Sequence, residues 1–133
     1  MNSPPPLRQP CPPGTCTCQR DALLHTPDAD TRILRLTLHE ERRLLERLEK
    51  VQSLDDLEHL QQRMFEQLGI RMDIAPGHNE VRSMRGIAID FADQPGLCRK
   101  TRPAIAAAIR RALQQRPEIA WRLLDAHDLL GGL

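Results

Sequence analysis

Ile70-Arg71-Met72-Asp73-Ile74 alternates apolar and polar residues without a break, and Ile87-Ala88-Ile89-Asp90-Phe91 repeats the pattern. A period of two sends successive side chains to opposite faces, so both stretches read as half-buried strands. Pro76-Gly77-His78-Asn79 between them is turn chemistry, and Val81 and Met84 lead into the second strand. Residues 70–92 therefore read as a β-hairpin. This hairpin separates the chain from the all-helical class.

The segments upstream of the hairpin read as helices. Ser53 is an N-cap with Asp55 and Asp56 in the first turn behind it, where the helix dipole favours acids. Leu57, Leu60, Met64 and Leu68 then share one face, and Gly69 supplies a C-terminal stop. Before it, Thr37 and Glu40 form a capping box for a helix whose stripe is Leu44, Leu45, Leu48 and Val51. Its opposite face carries Arg42–Glu46 and Glu46–Lys50 at i,i+4, a solvated pattern. Ile33, Leu34, Leu36 and Leu38, interleaved with Arg32, Arg35 and Thr37, read as a further short strand over 32–37.

Downstream, Asp93-Gln94-Pro95-Gly96 is a loop, and a helix begins near Pro103 with Ile105, Ile109, Ala112 and Leu113 inward. Pro117 opens a last helix with Ile119, Leu123, Ala126 and Leu130 on one stripe, and Gly131-Gly132 ends it. The fold class expected is α+β: a small three-stranded sheet packed with two helix pairs, in the order β-α-α-β-β-α-α. Residues 31–133 would form this single domain. Residues 1–30 would be a Pro-rich tail, with six prolines in the first fifteen residues and a short turn or helix over 16–26.

Composition bounds the function. The chain has 133 residues, 40% of them hydrophobic, enough for one core without a staple. Its aromatics are Phe65, Phe91 and Trp121, with no Tyr, so base-stacking surfaces are disfavoured. Net charge is +1, but residues 80–122 hold nine basic and four acidic residues. Residues 1–20 contain no apolar run of signal-peptide length, and no stretch reaches membrane-spanning length, so a cytoplasmic protein without a membrane partner is expected.

Chemistry concentrates in the cysteines. Cys11, Cys16 and Cys18 lie within eight residues, in Cys-Pro-Pro-Gly-Thr-Cys-Thr-Cys, and Cys98 follows eighty residues later. Clustered thiols in a reducing compartment serve more often as metal ligands or redox groups than as structural disulfides. Thiolates are soft donors suited to zinc, copper(I) or an iron–sulfur cluster, and a closed site needs four ligands. Cys98 would complete the set, with His25 as the substitute. The expected cofactor is zinc or an iron–sulfur cluster, in a small non-enzymatic protein of regulation, metal handling or assembly. A mobile tail with inert thiols is the plain alternative.

Two further readings use the same region. Arg99, Lys100 and Arg102 sit beside the start of a helix, with Arg110 and Arg111 one face further on. Such a surface suits phosphate, a nucleic acid, a ribosome or an acidic protein partner, whereas a solvated loop is the simpler account. Cationic neighbours and a helix N-terminus would also lower the Cys98 pKa, making it a candidate redox-sensing thiolate, unless it packs inward as a small core residue.

Little points to catalysis. No His-Glu-x-x-His, nucleophile elbow or phosphate-binding Gly-rich loop is present. His127 beside Asp125 and Asp128 reads as a semi-core histidine, and Asp73, Asp90 and Asp93 read as outward strand and loop acids. Trp121 and Leu124 give the last helix a second apolar face. That face is either covered internally or offered to a partner.

Overall fold

The computed structural model describes residues 7–11, 16, 18–77 and 86–126. Among these, five α-helices and one two-stranded sheet form around a common core. The helices are α1 (Arg20–His25), α2 (Leu38–Glu49), α3 (Leu54–Leu68), α4 (Thr101–Gln115) and α5 (Pro117–Ala126). The strands are β1 (Met72–Pro76) and β2 (Ile87–Phe91). The expected His78-Asn79 turn, the Val81 and Met84 lead-in, His127 and the Leu130 to Gly132 terminus lie outside the described residues.

The hairpin forms in the register that alternation requires. β1 and β2 are antiparallel, with Met72 opposite Phe91, Ile74 opposite Ile89 and Pro76 opposite Ile87. Met72, Ile74 and Ile87 are buried on one face, while Asp73 and Asp90, also opposite each other, are exposed on the other.

The helix ends also follow local chemistry. Thr37 Oγ1 accepts from the Glu40 N–H at 3.2 Å, and Ser53 Oγ from the Asp56 N–H at 3.1 Å. Each satisfies a donor that the first helical turn leaves unpaired. Gly69 closes α3 in the left-handed region at φ 70°, and the N–H groups of Gly69 and Ile70 return to Phe65 O and Met64 O. That reverse-turn cap is open to glycine at no steric cost.

The third strand is a correction. Residues Arg32–Arg35 form a 3₁₀ turn, and among the described residues the sheet has two strands. Burial explains why. Ile33 and Leu34 are 2% and 0% exposed, and Leu36 is 3% exposed. A strand sends neighbouring side chains to opposite faces, whereas a tight helical turn can turn two consecutive residues into one core. Asp30 starts the turn by accepting from the Arg32 backbone N–H at 3.1 Å. The Arg32 guanidinium then bridges Asp30 and the last carbonyls of α3, donating to Phe65 O and Glu66 O at 3.0 Å each. It supplies the cation that the C-terminal end of a helix favours, and it holds the Asp30 carboxyl down at about 2.

Helix packing keeps the expected α4–α5 pair but elsewhere reaches beyond sequence neighbours. α2 packs chiefly on α4, while α3 packs on the 3₁₀ turn and α5. Arg111 Nε reaches Glu49 at 2.6 Å across the α2–α4 contact. α5 also packs on β1 and α4, which seats Ile119, Ala120, Leu123 and Leu124 in the core and leaves Trp121 outside, 62% exposed. The segment expected to be an accessory tail contributes to this core as well: Leu23 of α1 is 5% exposed and Ala29 packs against the cluster.

The 3₁₀ assignment has a direct check by mutation and denaturant unfolding. Ile33→Ala and Leu34→Ala should each cost about 2–5 kcal/mol, and Arg35→Ala less than about 0.5 kcal/mol. A strand would expose one of the two apolar neighbours, so a cheap Ile33→Ala would restore the strand.

Candidate metal centre

Cys11, Cys16, Cys18 and Cys98 place their sulfur atoms within 4.8 Å of one another. Cys11 Sγ lies 3.5 Å from Cys98 Sγ and 3.9 Å from Cys18 Sγ. All four are free thiols, partly buried.

Three of the sulfurs, those of Cys11, Cys18 and Cys98, sit on backbone that is tied to the body of the fold. Cys11 follows Pro10 on a segment that is tied to the body at Arg8, whose N–H donates to Leu34 O at 2.7 Å. Arg20 of α1 donates from Nε to the Arg8 carbonyl at 2.8 Å. Cys18 precedes α1, and Gln19 between them has φ 60°, a conformation uncommon for a residue with a side chain. The Cys18 carbonyl accepts from the Gly96 N–H at 2.5 Å. Cys98 sits two residues after Gly96, in the tight turn that opens α4, where Thr101 N–H returns to Cys98 O at 3.1 Å. The loop 93–98 thus supplies one sulfur and grips the strand of chain that carries another.

Gly96 makes that grip possible. Its φ is 89°, and an added Cβ would collide with Ile33 Cγ2 and meet Leu23 Cδ2 at 3.0 Å. Gly96 is the point where the cysteine loop, α1 and the 3₁₀ turn touch.

The thiols are electrostatically unequal. Two backbone N–H groups, of Arg99 and Cys18, act on Cys16, and the first of these dominates in bringing its pKa down to about 7. Burial pushes the Cys98 thiol strongly up, reinforced by its contact with Cys11, and outweighs the nearby Arg8 charge. Burial raises Cys11 as well. Of the two readings of Cys98, these shifts favour the inward-packed residue over the activated thiolate: desolvation dominates there, and the thiol whose pKa is lowered is Cys16.

Other expected site residues are arranged differently. His25 stands apart from the four sulfurs, its Nδ1 2.9 Å from the Asp21 carbonyl of its own helix. Of the five cations, Arg99 and Lys100 are exposed. Arg102 pairs with Asp93 at 3.1 Å, Arg110 donates to Ile87 O at 3.1 Å and Arg111 binds Glu49. Three of the five thus serve contacts within the fold. Trp121 and Leu124 do not form one exposed pair, because Leu124 is 8% exposed. His39 and His59 are exposed. No helix of the described residues is long and apolar enough to cross a membrane.

Two residues central to the site carried no sequence signal of their own. Gly96 reads as an ordinary loop glycine, and Arg8 as a lone cation in a Pro-rich segment. The chain matches no protein-family model, and neither a curated protein nor a solved structure matches it.

Alkylation of the reduced, metal-free protein at pH 7, mapped by mass spectrometry, should modify Cys16 first and Cys98 last. Cys98 reacting first would contradict the electrostatics of the site. Gly96→Ala should cost about 1–3 kcal/mol in denaturant unfolding, through a strained φ and an overfilled contact. An unchanged midpoint would mean that the loop is free to move away from Ile33.

Proposed function

We propose that the protein is a small non-enzymatic zinc protein in which Cys11, Cys16, Cys18 and Cys98 bind one zinc ion as thiolates. The close approach of the four sulfurs carries the reading. With Zn–S near 2.3 Å, a tetrahedral site spaces its sulfurs about 3.8 Å apart. The 3.5 and 3.9 Å separations bracket that spacing, and all four sulfurs fall within 4.8 Å. A four-iron cluster spreads its thiolates to about 6 Å, so a single ion fits this arrangement better than an iron–sulfur cube.

Four protein sulfurs leave no coordination position open to water or substrate. A closed site of this kind is structural, not catalytic. Its effect here is to fasten Cys11, Cys16 and Cys18 to the loop before α4, joining chain segments about eighty residues apart. The N–H groups of Arg99 and Cys18 directed at Cys16 suit a bound thiolate, which accepts but cannot donate. The role in regulation or assembly follows from that fastening: the metal sets whether the amino-terminal segment is docked or released.

Protein purified anaerobically should carry equimolar zinc by elemental analysis, and Cys16→Ser should lose it on gel filtration. Cobalt(II) should replace the zinc and give the visible absorption of tetrahedral thiolate coordination. Four freely titrating thiols with no bound metal would contradict the proposal, and strong visible absorption in the protein as isolated would point to iron. Chelation should expose the segment that carries Cys11, Cys16 and Cys18 to protease while leaving most helical signal intact, because most of the buried core lies in the 3₁₀ turn, α2–α5 and the hairpin. Zinc-dependent fingers instead draw about 10–16 kcal/mol of folding from the metal and unfold outright.

A further inference from the structure

Arg8 is 8% exposed, yet none of the described residues forms an ion pair with it. Its Nε is buried without a hydrogen-bond partner. Among the described residues, the one side-chain acceptor its guanidinium reaches is Cys18 Sγ, 3.5 Å from Nη2. The backbone leaves little freedom to withdraw the charge, since Arg8 N–H and C=O are both bonded, to Leu34 O and Arg20 Nε. A buried cation without a counter-charge is strongly disfavoured. Four neutral thiols would leave Arg8 in that state.

We propose that Arg8 is the built-in counter-cation of the metal centre, offsetting one unit of the double negative charge of four thiolates around one divalent ion. The inference rests on the zinc reading and adds to it a residue, a charge state and a direction of coupling. Four thiolates and a divalent cation sum to −2. A charge-assisted N–H to sulfur bond from Arg8 neutralises part of that charge at the Cys18 ligand. The same cation acts on Cys98, where it opposes the effect of burial. Arg8 is a positioning residue, since it touches the metal only through its ligands.

Because Arg8 serves the charged state of the site and burdens the neutral one, its removal should have opposite effects in the two states. Arg8→Met keeps the buried alkyl volume and deletes the charge. Zinc affinity, measured by competition with a chromophoric chelator, should fall at least about tenfold, the usual scale for an outer-shell ligand partner. The urea midpoint of the reduced, metal-free protein should rise in the same variant. Arg8→Lys, which keeps a cation, should recover most of the zinc affinity. Unchanged zinc affinity in Arg8→Met would overturn the proposal while leaving the zinc site standing. A weakened affinity accompanied by a lower metal-free midpoint would overturn it too, by making Arg8 a plain structural anchor. If Arg8→Met fails to fold, Arg8→Lys and Arg8→Gln decide: Lys should retain affinity and Gln lose it, and equal loss in both would overturn the proposal. Absence of zinc binding by the unaltered protein is a separate result, and removes the zinc reading itself.

Discussion

Gly96 donates its N–H to the Cys18 carbonyl while its own α-carbon lies against Ile33 and Leu23. Through this contact the amino-terminal segment, the 3₁₀ turn and the loop before α4 meet. Cys18 and Cys98 flank it on either side, and their approach follows from it. Bringing chain ends eighty residues apart into contact carries a loop-closure cost that rises only slowly with length. Here the folded core meets that cost, because Leu23, Ile33 and Leu97 are buried together with it. The cysteine site is therefore built where the core already converges.

The elements legible in the sequence are those decided by short-range chemistry. Thr37, Ser53 and Gly69 mark helix ends through hydrogen bonds to residues three to five positions away. The 70–74 and 87–91 alternation specifies one register, since a slip by one residue would bury Asp73 and Asp90. The 32–37 segment misled because its apolar residues at 33, 34, 36 and 38 suit either period. What decides it is tertiary: Arg32 is drawn to the α3 carboxyl end, and both Ile33 and Leu34 turn inward. The α2–α4 contact was equally hidden, since amphipathic stripes give a buried face and do not name the partner.

The candidate site was legible through rarity, and illegible in its details. Three thiols in eight residues stand out in any chain of this length. That Cys98 joins them depends on the Gly96 contact, which no spacing rule encodes. The cationic run from Arg99 to Arg111 was legible as charge but not as geometry, for a related reason. Linear density of charge says nothing of where each side chain points, and Asp93, Glu49 and the Ile87 carbonyl take three of the five. Arg8 shows the converse, since a single charge gains meaning only once its burial is known.

The account turns on one divalent ion held by four sulfurs. X-ray absorption at the metal edge of anaerobically purified protein measures this directly. The account predicts zinc with a single shell of four sulfur scatterers at about 2.3 Å and no metal–metal vector. A mixed nitrogen–sulfur shell, an iron–iron distance or the absence of metal would contradict it.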